Sequence, residues 1–314
     1  MNAVAIPARD NRYARCIEVS KRICWDIDRD VIRGRRFDFR QKFLPEGLTR
    51  LNRLDLLSDE EKKLMSQIQG RTYAYLFGLV ERFINTMVLE RSRQHEQGDA
   101  VAHEALIRFS EEEVKHMVLF GRIEDMIAAD MPPGYEHTAD AQAVASVVLG
   151  KSTWAVLALT CHIELFTQAH YRQSIDPDAG ISPLFKDIFL YHWREESQHA
   201  ILDELEWRRE DAAISDDQRD SAVDDLIALV GAIDGILQAQ AFADADYFCA
   251  IIPRSIGVED QQKIEAATLA AYRWQYILSG VQEPRFQSLL AELTSSEQKD
   301  RIGQALAPLF SSVH

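Results

Sequence analysis

Hydrophobic residues recur along most of this chain at intervals of three and four, the spacing of amphipathic helices, and period-two alternation is almost absent. The clearest helical start is Ser58-Asp59-Glu60-Glu61, a cap residue with an acid three positions on. From it Leu64, Ile68, Phe77, Val80, Ile84, Met87 and Val88 extend an apolar stripe to about Arg93. A second helix is predicted from about Ala100 to Ala129 on Leu106, Phe109, Met117, Phe120, Ile123 and Ile127, and Met131-Pro132-Pro133-Gly134 stops it. A short helix before Gly150 is expected next. A third long helix runs from Ser152 to about Ser174 through Trp154, Val156, Leu157, Leu159 and Phe166. After the Asp176–Gly180 turn, a fourth runs from Ser182, with Pro183 in its first turn, to about Asp211. Further helical patterns cover about 216–248, 258–280 and 284–310. Upstream, Arg12 to Val31 reads as one helix, followed by a basic patch (Arg33, Arg35, Arg36, Arg40, Lys42) and a turn signal at Pro45-Glu46-Gly47. The pattern predicts an all-α chain forming a single domain over 1–314, with a four-helix core at 58–211 and flanking helical segments at 1–57 and 212–314.

Composition narrows the class. The 314 residues are 46% hydrophobic and 27% charged, ordinary for a globular protein with a substantial core. A formal charge of −15 argues against nucleic acid and anionic membrane surfaces as partners, because both repel an acidic surface. The four cysteines, Cys16, Cys24, Cys161 and Cys249, are scattered without a framework spacing, which predicts reduced thiols. No secretory signal pattern and no uninterrupted apolar run of about 20 residues is visible, so the expected location is cytoplasmic, with no membrane span.

The chemistry lies inside the apolar stripes. His192, Glu196 and His199, spaced by four and three, point within about 60° of one another on a helix. Each of the four central helices places an acid in its stripe. Glu81 is four after Phe77; Glu113 is four after Phe109, with His116 three later. Glu164 is seven after Leu157, and Glu196 is seven after Phe189. A carboxylate facing a core is costly unless it is paired or bound to a cation, and two divalent metals would supply the charge for four. Glu81 precedes Glu113, and Glu164 precedes Glu196, by the same 32 positions. In two antiparallel helix hairpins, that spacing sets each Glu opposite a Glu-x-x-His. A single Glu-x-x-His arises roughly once by chance in a chain this long, whereas two copies in this arrangement match the dinuclear carboxylate site of ferritin-like bundles.

On these residues the chain resembles the ferritin-like di-iron carboxylate superfamily. The His192-x-x-x-Glu196-x-x-His199 arrangement is most similar to the p-aminobenzoate N-oxygenase (arylamine oxygenase) family, over about residues 58–210. The resemblance implies a ferritin-like four-helix bundle with one long crossover, around residues 130–151, plus additional N- and C-terminal helices. It implies a metal and catalytic set of Glu81, Glu113, His116, Glu164, His192, Glu196 and His199. Glu113 and Glu196 would bridge, Glu81 and Glu164 would be more terminal, His116 would serve one metal, and His192 and His199 the other. Where relatives have Asp-Glu-x-Arg-His, this chain has Glu112 and Glu195 in place of Asp, and Lys115 and Gln198 in place of Arg. Glu112 and Glu195 are candidates to accept hydrogen bonds from the metal-bound imidazoles across the bundle, or else are solvated surface acids; Asp203 is a rival for the same task.

The function this implies is that of an O2-dependent oxidase or oxygenase. It would use two Fe ions, or Mn/Fe or Mn/Mn, with O2 as co-substrate, to oxidise a small organic substrate such as an arylamine. An external electron donor of the reductase or ferredoxin type is expected. The additional helices are expected to wall a substrate pocket or form a homodimer interface. Thr160, Cys161, Thr167 and Gln168, about one turn either side of Glu164, are candidate pocket residues, with helix packing the competing reading. Tyr73, Tyr75 and Tyr191 are candidates for a redox tyrosine, though none shares clear helical phase with a ligand. The alternatives are a ferroxidase or metal-storage protein, and a non-catalytic helical protein stabilised by metal.

Overall fold

The computed structural model describes residues 11–311. Helices cover most of them: α1 (Asn11–Arg22), α2 (Glu46–Thr49), α3 (Asp59–His95), α4 (Ala100–Ala128), α5 (Ala141–Leu149), α6 (Thr153–His170) and α7 (Pro183–Ala213). Then follow α8 (Asp216–Ile251), α9 (Val258–Arg273), α10 (Ser279–Val281), α11 (Pro284–Leu293) and α12 (Ser296–Ser311). No strand forms among the described residues, and a lone bridge joins Lys42 to Ile181. The chain is all-α.

The long helices start where cap chemistry starts them. Ser58 accepts from Glu61 N–H while the Glu61 carboxylate accepts from Ser58 N–H, a reciprocal box that satisfies two otherwise unpaired donors. Asp99 and Ser182 cap α4 and α7. α3 packs along α4 and α6 along α7, and the two pairs meet where α4 packs on α7. Between α4 and α6 the chain crosses through α5. α8 covers α6 and part of α3, and α9 lies against α8.

Two expectations about the flanking segments are corrected. The helix expected over 12–31 ends at Arg22. Asp26 is extended, its carboxylate caps a π-helical turn over Ile27–Ile32, and Arg33, at φ 52, closes that turn. The helix expected over 284–310 is two helices, because Ser295 and Gln298 form a second reciprocal cap in mid-pattern. An 18-residue stretch of α8 reaches a mean hydropathy of 1.6, so α8 is long and apolar enough to cross a membrane by length and composition. Asp234 interrupts this stretch, so the reading that no uninterrupted apolar run reaches about 20 residues stands. Here Asp234 pairs with Arg273 of α9 at 2.6 Å. All four cysteines are free thiols.

Candidate metal centre

Seven side chains expected to ligate metal converge between α3, α4, α6 and α7. Glu81, Glu113, His116, Glu164, His192, Glu196 and His199 are each at most 2% exposed. Glu196 is the hub. Its Oε1 lies 2.6 Å from His192 Nε2 and 3.0 Å from His116 Nδ1, and its Oε2 lies 2.9 Å from His199 Nδ1. Glu113 Oε1 reaches His199 Nδ1 at 3.0 Å and His116 Nδ1 at 3.7 Å. Glu81 Oε1 sits 3.1 Å from His192 Nε2.

Two overlapping groups result, each with ligand atoms within 4.8 Å of one another: Glu81, His116, His192 and Glu196, and Glu113, His116, Glu196 and His199. His192 therefore keeps company with His116, not with His199 as the sequence expectation had it. The reason is position along α7. His192 lies one turn before Glu196 on α7 and reaches the end of the cluster held by α3, whereas His199 lies nearly one turn after it. Glu164 stands beside Glu196 and outside both groups.

The two imidazoles nearest the centre are oriented from outside. His116 Nε2 is 2.9 Å from Glu195 Oε2, and Glu195 in turn accepts from Lys115 Nζ at 2.5 Å. His199 Nε2 is 2.8 Å from Glu112 Oε2, which also accepts from Gln198 Nε2 at 2.8 Å, while Ser20 Oγ donates to Glu112 Oε1 at 2.7 Å. Glu112 and Glu195 are buried, so the solvated-acid reading is set aside. With each Nε2 engaged, Nδ1 of both rings is turned to the centre. Asp203, the rival, is buried near Thr160.

Burial pushes the Glu81 carboxyl well above its ordinary range, reinforced by the Glu113 charge, and does the same to Glu164, reinforced by Glu196. Burial also opposes charge on Glu113 and Glu196, but there the facing groups outweigh it. Contacts with Glu81, His116 and His199 hold Glu113 down at about 2, and the facing imidazoles of His192 and His199 hold Glu196 well down. Despite burial, the Glu196 charge raises His116 and His199 well up, whereas burial lowers His192. Carboxyl and imidazole groups of the cluster thus shift one another's proton affinity in opposite directions.

The donor set fits a pair of divalent metals. Among the described residues, Glu81 Oε2, both Glu113 oxygens, His116 Nδ1 and Glu196 Oε1 are buried without a hydrogen-bond partner. Glu113 Oε1 and Glu196 Oε1 lie at ion-pair distance from imidazole nitrogens, but buried carboxylate oxygens without a hydrogen bond remain costly unless a cation takes them up. Two divalent ions would replace the protons and neutralise four carboxylates, and mixed carboxylate and imidazole donors suit iron or manganese.

Two contacts around the centre had no signal in the sequence pattern. The Trp25 ring stacks on His116 at 6.1 Å and 10°, with Lys115 Nζ 4.1 Å above the indole. Ser20 reaches Glu112 from α1. Both come from the segment whose helical pattern was weakest, and both are long-range contacts. The pocket candidates near Glu164 turn inward to backbone: the Thr160 and Thr167 hydroxyls donate to Leu157 and Ile163 carbonyls, and Gln168 donates to the Trp193 carbonyl. Cys161 is fully buried, with its thiol pushed up by burial. These are packing positions. Of the tyrosines, Tyr73 is buried with its hydroxyl 2.7 Å from His170 Nδ1, Tyr75 donates to the Ala139 carbonyl, and Tyr191 packs against Trp25 at 5.8 Å.

Compared with known proteins, the sequence matches no family model and has no significant match among curated proteins.

Proposed function

We propose that this chain is a ferritin-like di-iron carboxylate oxidoreductase that uses O2 to oxidise a small organic substrate, with an arylamine as the first substrate class to try. One observation carries the reading. The two oxygens of Glu196 face three imidazoles in two overlapping ligand groups, the geometry of a carboxylate shared between two ions. Pairing of α3 with α4 and of α6 with α7, with α5 in the long crossover between them, supports the ferritin-like assignment.

Glu81, Glu113, His116, Glu164, His192, Glu196 and His199 would hold the metals, which supply the electrons and the Lewis acidity for dioxygen chemistry when bound. The remaining work belongs to the chain. Glu195 and Glu112 fix the tautomers of His116 and His199. Lys115 Nζ, 2.5 Å from Glu195 Oε1, holds Glu195 in place. Full burial of the ligands keeps bulk water off the centre, which suits an oxidising reaction. The electron donor is proposed to be an external protein of the reductase or ferredoxin type.

O2 consumption by the reduced, iron-loaded protein, measured with and without small aromatic amines, tests the proposal. Substrate-stimulated uptake is expected. Uptake that tracks added Fe(II) alone would favour a ferroxidase, and inertness in every condition would contradict the enzyme reading.

A further inference from the structure

One buried tyrosine faces a base, and the hydrogen bonds beyond that base fix where its proton lies. Tyr73 of α3 is 1% exposed, and its Oη lies 2.7 Å from Nδ1 of His170, at the end of α6. His170 is itself buried, and its Nε2 lies 2.8 Å from Ser279 Oγ, which donates to the Gln275 carbonyl at 3.1 Å. Ser279 has a single O–H and gives it to Gln275, so its oxygen accepts from His170 Nε2–H. Nδ1 therefore carries the lone pair, and the Tyr73 hydroxyl donates to it. Burial keeps both groups neutral, because it raises the Tyr73 pKa well above its ordinary value and lowers that of His170 to about 3.

A buried phenol needs only an acceptor, and a main-chain carbonyl serves elsewhere: Tyr75 donates to Ala139 and Tyr247 to Pro132. Tyr73 has an oriented base instead, set by two residues beside π-helical turns. His170 precedes the turn Tyr171–Ile175, and Ser279 follows the turn Trp274–Leu278. Such turns recur at functional sites. Tyr73 also faces the metal centre. Its ring packs on Phe77 at 4.7 Å and edge-on to Phe189 at 5.0 Å. Both phenylalanines pack edge-on to His192, at 5.3 and 6.2 Å. One aromatic ring thus separates the phenol from a side chain of the centre, a gap that an electron crosses by tunnelling.

We propose, building on the O2-dependent reading of the centre, that Tyr73 is an internal one-electron donor to the metals and His170 its proton acceptor. One electron leaves the phenol by way of Phe77, and the oxidised metal pair is the oxidant that receives it. The Tyr73 O–H bond breaks, the proton crosses the hydrogen bond, and an N–H bond forms at His170 Nδ1. What remains is a neutral tyrosyl radical accepting a hydrogen bond from an imidazolium. A phenol that has lost an electron is a strong acid, so the imidazole takes the proton although burial lowers its basicity. Without His170 the positive charge would stay on the ring in apolar packing with nothing to pair it. An electron from the external donor, with the proton returning from Nδ1, restores the resting pair. Tyr73 so supplies an electron from within the chain between encounters with that donor.

Two measurements on the full chain test this role. In the first, the reduced, iron-loaded protein is mixed with limiting O2 and frozen at intervals for electron paramagnetic resonance, with O2 uptake followed in parallel. A transient tyrosyl radical is expected in the wild type and its loss in Tyr73→Phe, which keeps the ring and its packing. In the second, the frozen metal-free chain is photolysed with ultraviolet light, and the Tyr73 radical is read as the difference between wild type and Tyr73→Phe. That radical is expected to show a coupling to one exchangeable proton, lost after equilibration in D2O and absent in His170→Phe. O2 uptake with no radical, or with a radical that survives Tyr73→Phe, overturns the donor role and leaves the O2-dependent reading standing. Absence of O2 uptake contradicts that reading and removes the donor role with it. A Tyr73 radical that lacks the exchangeable coupling, or keeps it in His170→Phe, overturns the part given to His170.

Discussion

At the scale of single residues, the account turns on which atom of each imidazole faces the centre. His116 and His199 each present Nδ1 because Glu195 and Glu112 occupy Nε2 from the opposite helix. Partners of this kind fix ring orientation and raise ligand basicity, and their loss typically costs about 10–100-fold in metal affinity. Glu195→Ala and Glu112→Ala are therefore each expected to weaken metal binding by about that factor, read by competition with a chromophoric chelator. Unchanged affinity in both would remove the orienting role. Most of this set is legible in the sequence: the seven converging side chains from helical phase and the repeated 32-residue spacing, and Glu112 and Glu195 as candidates from their place beside them. Which imidazole accompanies His192 was not legible, because phase on α7 gives direction but not reach across to α3. Trp25 and Ser20 were invisible for a related reason, since nothing local marks a residue whose partner lies some 90 positions away.

At the scale of elements, hydrophobic period located the long helices well, and backbone chemistry decided where they stop. The break after α1 rests on Asp26 capping a π-helical turn, which an apolar period does not report. The break between α11 and α12 had a signal, Ser295 with Gln298 three on, inside a pattern that looked continuous. One buried acid ties α1, α3 and α7 together. Glu206, 1% exposed, accepts from Tyr13 Oη at 2.7 Å, lies 2.7 Å from His95 Nε2, and pairs with Arg91 Nε at 3.1 Å. Burial opposes its charge, but these hydrogen bonds and the Arg91 charge outweigh it and hold its carboxyl down at about 2. Because the folded value lies below the ordinary 4.5, the stability it contributes is present above about 4.5 and lost as pH falls towards 2. That drop corresponds to roughly 3 kcal/mol. In urea unfolding at a series of pH values, Glu206→Gln is expected to be less stable than wild type by about this amount at neutral pH, with the gap closing below about pH 4.5. Parallel pH curves for the two proteins would show that the acid does not anchor these helices.

At the scale of the whole molecule, a chain of net charge −15 buries four carboxylates at one point between two helix pairs. Two divalent cations would neutralise those four carboxylates and take up the oxygens that lack a hydrogen bond. The flanking helices frame that point, α1 reaching Glu112 through Ser20 and α8 packing over α6 and α3. The central claim is that Glu196 is shared between two metal positions, with His192 belonging to only one of them. Anaerobic titration of the metal-free chain with Fe(II), with bound iron counted after gel filtration, tests this most directly. The account predicts two equivalents per chain in the wild type and about one in His192→Ala. A wild-type chain that retains fewer than two, or a His192→Ala chain that still retains both, would contradict it.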